Sequence, residues 1–161
     1  MKYVILMIGV LAYQRFCLAM DDVYCNGQRI EFAGDKLYPN GKRVDFAGDA
    51  LYPNGNRVDF AGDLLYPDGK RVDFAGDLLY PNGKRVKFAG DCFDQSGTKI
   101  EHCPDSIKFQ DYSDGIKVKG VMNLIENKVE LNGFKYVEGN VTTHFQLNSN
   151  RKIVNITAHC E

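Results

Sequence analysis

Between residues 22 and 91 the apolar positions of the chain recur every fourteen residues. In the cleanest copy, Leu64 to Asp77, the unit reads Leu-Leu-Tyr-Pro-Asp-Gly-Lys-Arg-Val-Asp-Phe-Ala-Gly-Asp. Short alternating runs lie between glycines that fall seven residues apart from Gly27 to Gly97. An amphipathic helix needs apolar residues three and four apart, so this pattern predicts strands punctuated by turns. Units 22–35, 36–49, 50–63, 64–77 and 78–91 are followed by a degenerate copy at 92–104. The first unit departs from consensus at Val23, Cys25, Gln28 and Glu31, and the degenerate copy at Asp94, Gln95, Lys99, Ile100 and Glu101. Terminal repeats diverge in this way because one side has no neighbour.

Each unit carries two turn signals, for example Asn54-Gly55 in its middle and Gly62-Asp63 at its end. Read as two-residue type I′ and II′ turns, they pair Leu51 with Val58 and Phe60 with Leu65. Leu, Val and Phe then share one face, while Tyr, Arg and Asp share the other, and this clean division favours that register. Three-residue loops at both ends, with proline at the first corner, also close a fourteen-residue repeat. They would place Tyr with Val and Phe, and Leu51 with Arg and Asp.

The expected fold class is all-β: an antiparallel β-meander of hairpin repeats, coiled or closed into a barrel, with a C-terminal antiparallel β segment. About ten strands at roughly 4.8 Å spacing would make an open sheet about 50 Å wide. Its apolar face, where each fully buried side chain contributes roughly 1.5 to 3 kcal/mol, must be covered. Barrel closure, the C-terminal segment or a second chain would cover it. Residues 105–161 continue strand-like, with runs at 116–118, 128–131, 134–137, 141–147 and 152–157 punctuated by Asp114-Gly115, Asn132-Gly133 and Gly139-Asn140. Five or six strands are expected there, and only 121–127 suits a short helix.

Composition narrows the setting. Lys and Arg number 20 against 21 Asp and Glu, a net charge of -1, which gives no basic excess for nucleic acid. Residues 1–19 read as a secretory signal: Lys2, an apolar run from Tyr3 to Ala12, and small residues before Ala19. Gln14 and Arg15 interrupt any longer apolar stretch, so no transmembrane segment is expected in the mature chain. The protein is expected to be secreted, or periplasmic. Beyond residue 19 lie Cys25, Cys92, Cys103 and Cys160, an even set that suggests two disulfides with three connectivities open. Spacing prefers Cys92 with Cys103 in a local loop, leaving Cys25 to reach Cys160.

The candidate chemistry is that of a partner-binding face. Tyr52, Arg57, Asp59, Tyr66, Arg71, Asp73 and Tyr80 would present planar rings and forked donors to a protein or glycan partner. Against this stands the plain alternative of cross-strand pairs on a solvated sheet, worth about 0.2 to 1 kcal/mol each. The turn aspartates, Asp35 to Asp91, each bring one carboxylate and do not converge as calcium ligands would. His102, His144 and His159 lack the CxxC, HExxH or glycine-framed nucleophile contexts of metal or covalent chemistry. The expectation is therefore a binding or structural module without enzymatic activity, cofactor or metal. The alternative is a secreted enzyme or toxin with its active site in 105–161 and the repeats as a docking module. Asn140-Val141-Thr142 and Asn155-Ile156-Thr157 match the N-glycosylation acceptor rule.

Tyr-Pro-Asn-Gly-Lys at Tyr38 to Lys42, and again at Tyr80 to Lys84, resembles the glycine-punctuated hairpins of MORN-type repeats. The resemblance covers about half the chain and implies an architecture of stacked β-hairpins.

Overall fold

Two different turns alternate along the array, and neither uniform register holds. In the computed structural model of the chain, which describes residues 23–161, each Pro-Asn-Gly corner is a three-residue loop. Gly55 N–H donates to the Tyr52 carbonyl at 2.8 Å, and Tyr52 N–H donates to the Asn56 carbonyl at 2.8 Å. Proline fixes φ for the first corner of this type I turn, Asn54 Oδ1 accepts from Asn56 N–H at 2.9 Å, and Gly55 takes φ 89° in the bulge. The second corner is a two-residue turn at Ala61-Gly62, with φ of 52° and 86° at its centre. It pairs Phe60 with Asp63 and Asp59 with Leu64. Gly62-Asp63 is therefore not the turn centre, and the expected II′ turn is a type I′ turn one residue earlier.

This one-residue slip exchanges the faces of the residues beside it. The buried set is the first residue of the unit, Tyr and Val: Ala50, Tyr52, Val58, Leu64, Tyr66, Val72, Leu78, Tyr80 and Val86. Phe32, Phe46, Phe60, Phe74 and Phe88 stay 57 to 60% exposed instead of joining Leu and Val inside.

The resulting hairpins are β1 (Glu31–Phe32) with β2 (Asp35–Lys36), β3 (Asp45–Phe46) with β4 (Asp49–Ala50), and β5 (Asp59–Phe60) with β6 (Asp63–Leu64). They continue as β7 (Asp73–Phe74) with β8 (Asp77–Leu78), and the array ends in a three-stranded sheet of β9 (Lys87–Phe88), β10 (Asp91–Phe93) and β11 (Lys99–Ile100). Neighbouring hairpins are joined through single residues: Val44 donates its N–H to Lys36 and accepts at its carbonyl from Leu51. Tyrosine adds a longer link. Tyr38, Tyr52 and Tyr66 each donate the hydroxyl to the carbonyl thirteen residues on, at 2.6 to 2.7 Å. Burial pushes the Tyr24 and Tyr80 hydroxyls up to about 12, and holds those of Tyr38, Tyr52 and Tyr66 well above the ordinary value. At the last copy Asp94 replaces tyrosine and closes the turn on itself. The Ser96 hydroxyl and the N–H groups of Thr98 and Ser96 hydrogen-bond to its carboxylate and hold it below the usual carboxylate range.

The C-terminal half is a five-stranded antiparallel sheet in sequential order: β12 (Ser106–Ser113), β13 (Ile116–Asn123), β14 (Lys128–Glu138), β15 (Val141–Leu147) and β16 (Ile153–Cys160). The stretch 121–127, considered for a helix, is the end of β13 and a turn. The sheet, and not a barrel closure, covers the apolar face of the array. Tyr38 packs on Phe145, Tyr52 on Phe134, and Tyr66 and Tyr80 on Phe109, with ring centroids 5.3 to 6.4 Å apart. Tyr24 packs with Val141 and Ala158, so successive units lie across successive parts of the sheet. Gly120 leaves room for the Phe109 ring, whose Cζ would lie 2.4 Å from an added Cβ.

Both rims are stitched. On one side the loop side chains Lys152, Arg151 and Asn127 donate to the turn carbonyls of Gly48, Gly62 and Gly76. On the other, Asn54 donates to Asp114, and Asp68 N–H donates to the Ser113 hydroxyl. Cysteine pairs close the two ends: Cys25 with Cys160, Cα atoms 5.9 Å apart, and Cys92 with Cys103, 5.4 Å apart. This is the pairing that spacing preferred. Among the described residues no helix is long and apolar enough to cross a membrane. The expected signal segment, 1–19, lies outside the described residues.

Candidate functional site

The outer side of the array carries a ridge that the core does not require. In each unit a guanidinium lies over a phenylalanine ring: Arg29 on Phe32, Arg43 on Phe46, Arg57 on Phe60, Arg71 on Phe74 and Arg85 on Phe88, at 5.2 to 6.0 Å. Four of these arginines also reach the carboxylate that ends the preceding unit. The pairs are Arg43–Asp35, Arg57–Asp49, Arg71–Asp63 and Arg85–Asp77, at 3.3 to 3.7 Å, and Lys99–Asp91 continues the series. The periodicity follows from the fold, because Phe60 is paired with Asp63 and adjoining members of an antiparallel pair point to the same face. The ion pairs are about half exposed and each contributes little to stability. Their effect is to hold each guanidinium between a carboxylate and a ring, so the strip repeats the same aromatic and charged groups at regular positions.

The residues expected on the partner face are divided by the structure. Arg57 and Arg71 are on the ridge. Tyr52, Tyr66 and Tyr80 are fully buried against the sheet and have no free ring face for a partner. Asp59 and Asp73 pair with the buried Leu64 and Leu78, which turns them towards the sheet side, where Asp59 lies 4.0 Å from Arg151. The ridge carboxylates are instead Asp49, Asp63 and Asp77, and its rings are the phenylalanines, which a two-residue Gly-Asp turn would have placed inside. The signal for them was the alanine before each second glycine, since Ala-Gly as a turn centre moves Phe outwards.

No family model, curated protein or solved structure matches the chain. At its far end the ridge borders a hollow of about 410 Å³, between Arg85 and Phe88 on one side and Leu124 and Asn127 of the sheet turn on the other. The hollow is lined by the charged and polar side chains of Asp77, Arg85, Lys87 and Asn127 beside apolar Leu78, Phe88 and Leu124, with no histidine, serine or cysteine.

Two of the three histidines lie together. His144 and His159 lie together on neighbouring strands, with ring centroids 5.9 Å apart, while His102 adjoins the other disulfide. Cys103 and Cys160 are both disulfide-bonded, so neither sulfur is available as a nucleophile to the adjacent histidine. Among the described residues no group of three or more His, Cys, Asp and Glu is placed to hold a metal ion.

Proposed function

We propose that the chain is an exported, disulfide-stapled binding module that acts without catalysis, and that the ridge of phenylalanine and arginine docks a partner protein. The observation that carries this reading is the five phenylalanines at 57 to 60% exposure, in one repeated position, each under an arginine. Contiguous aromatic surface in water is an interaction feature. Aromatic residues and arginine are also the types enriched where protein interfaces concentrate their binding energy. Phenylalanine brings no polar handle for sugar hydroxyls, which favours a polypeptide over a glycan on this face. The alternation of Arg and Asp along the strip fits a partner with an apolar stripe flanked by charges of both signs.

Export is supported by the two cysteine pairs, which persist in oxidising compartments, and by the signal-like residues 1–19.

The test is affinity capture from the extracellular fraction of the source organism, comparing the parent with a Phe60→Ser, Phe74→Ser double variant. Both substitutions are on exposed positions, so the variant should keep the parent's circular dichroism and thermal midpoint. A partner retained by the parent and lost by the folded variant is the expected result. A partner held equally by both would remove the ridge from consideration. Tyr66 is unsuitable for this purpose, because its replacement perturbs the core.

A further inference from the structure

The outer face of the five-stranded sheet carries a second surface, made by residues far apart in sequence. The strand register sets Tyr112, Lys117, Lys135, His144 and Thr157 in one row across all five strands. Lys117 is directly opposite Lys135, and Lys135 directly opposite His144. Lys119 stands one row away, opposite Gly133, and His159 lies against His144. Like charges in directly opposed positions destabilise a sheet. The array, by contrast, gives Arg43, Arg57, Arg71 and Arg85 each a carboxylate. None of the ion pairs among the described residues uses Lys117, Lys119 or Lys135.

These cations surround a hollow of about 580 Å³. Its lining contains no acid, and its other polar groups are the amides of Asn132, Gln146 and Asn155 and the Thr157 hydroxyl. Gly133, opposite Lys119, leaves the floor without a side chain, and a Cβ there would meet nothing within 4 Å. The volume lies within the range of about 300 to 1,000 Å³ typical of small-molecule sites.

The geometry points to an anion-binding site for an acidic saccharide, a sulfated or uronate sugar, with Lys117, Lys119, Lys135 and His144 holding the charged group. Amides and a hydroxyl beside the cations suit a ligand that carries hydroxyls as well as charge. A bare inorganic anion would leave them unused. An extended polyanion such as nucleic acid is disfavoured, because the chain as a whole has a net charge of -1 and would repel it beyond the hollow. The site is separate from the phenylalanine ridge, which lies on the array and not on the sheet.

His144 adds a pH response. Burial and the neighbouring His159, Lys135 and Lys119 hold its pKa below the ordinary value. The groups facing it are Lys135 on β14, Lys117 and Lys119 on β13, and His159 on β16. An anion would favour the protonated ring, so binding strengthens as the pH falls through the histidine range.

The test is calorimetric titration of the full-length protein with a sulfated disaccharide, its desulfated counterpart and inorganic sulfate. Saturable binding of the sulfated sugar alone is expected, weakening as salt is raised and strengthening at lower pH. Lys135→Gln should lower the affinity about tenfold, in line with loss of one charge-assisted bond, while its thermal midpoint stays level or rises as repulsion is relieved. His144→Gln should flatten the pH dependence. Phe60→Ser, on the ridge, should bind as the parent does. Equal binding of sulfated and desulfated sugars, no binding of either, or undiminished binding by Lys135→Gln would overturn the site. Inorganic sulfate binding as tightly as the sugar would overturn its assignment to a saccharide.

Discussion

Raising the pH should unfold this protein abruptly, at a point set by the ladder of buried tyrosines. Tyr38, Tyr52, Tyr66 and Tyr80 are fully buried, Tyr24 is 5% exposed, and each hydroxyl donates to a backbone carbonyl of the next unit. Burial holds their pKa values above the unfolded value of about 10, at about 12 for Tyr24 and Tyr80 and well above the ordinary value for the other three. A group whose folded pKa is raised stabilises the fold fully below its unfolded pKa, and that contribution falls away as the pH rises above it. Each tyrosine then costs about 1.4 kcal/mol per pH unit. Five of them remove about 7 kcal/mol by about pH 11, which is comparable with the 5 to 15 kcal/mol that holds an ordinary domain together.

The assay is a pH titration followed by phenolate absorbance and far-ultraviolet circular dichroism, with rapid mixing so that the disulfides do not exchange. The buried phenolates should appear in the same steep transition in which the β signal is lost, at about pH 11. Tyr66→Phe sharpens the test. At neutral pH it leaves the Leu79 carbonyl without its hydroxyl donor and should cost about 1 to 3 kcal/mol. It also removes one titrating group, so its deficit against the parent should shrink by about 1.4 kcal/mol by about pH 11. Phenolates that appear gradually while the β signal persists would refute the reasoning, because the rings would then be open to water.

Four further changes probe other parts of the structure. Ala61 has φ 52°, in the left-handed region, so Ala61→Gly should raise stability in denaturant titrations by about 0.5 to 1 kcal/mol. Asp68 cannot make the amide bond that Asn54 makes to Pro67 and Asn82 to Gln95, so Asp68→Asn should gain a bond to the Pro81 carbonyl and about 1 kcal/mol. Gly120→Ala would push a methyl group into the Phe109 ring and the Glu130 carbonyl, 2.4 and 2.7 Å away, and should lower the thermal midpoint by an amount equivalent to about 1 to 3 kcal/mol. Removing the Cys25–Cys160 pair, 135 residues apart, should cost about 2 kcal/mol more in denaturant titrations than removing Cys92–Cys103, 11 apart, because the longer loop restricts the unfolded chain more.

The β class, the covered apolar face and the preferred cysteine pairing were legible because each follows from a property that survives a shift of register. Glycine beside Asn, Asp or Ala at every seventh residue, with proline in four of the units, breaks any helix, and Val44, Val58, Val72 and Val86 are buried whichever turns are used. The sheet that buries it was legible in outline from the runs in 105–161, although its docking order along the array was not. Lys117, Lys135 and His144 belong to three different strands, and the sequence does not show that they form a row. The register itself, bulged between Lys119 and Gly120, decides it.

The turn register failed for a more specific reason. Two-residue loops throughout and three-residue loops throughout both close a repeat of fourteen residues with consistent faces, so consistency has no power to choose between them. The chain mixes the two, and side chains within the turns decide where. Asn40 needs its Oδ1 within reach of Lys42 N–H and its Nδ2 on the Pro53 carbonyl, which is met by a type I turn opened by Pro39. Ala47 then takes a left-handed φ of 51° beside Gly48, a conformation that costs roughly 1 kcal/mol for a residue with a Cβ. The unit accepts that cost because the alternative, turning one residue later, would bring Phe46 inside and leave the tyrosine hydroxyls without the carbonyls stacked above them. The exposed phenylalanines are thus a consequence of burying tyrosine, and the ridge proposed for partner binding exists because the core selected the other ring.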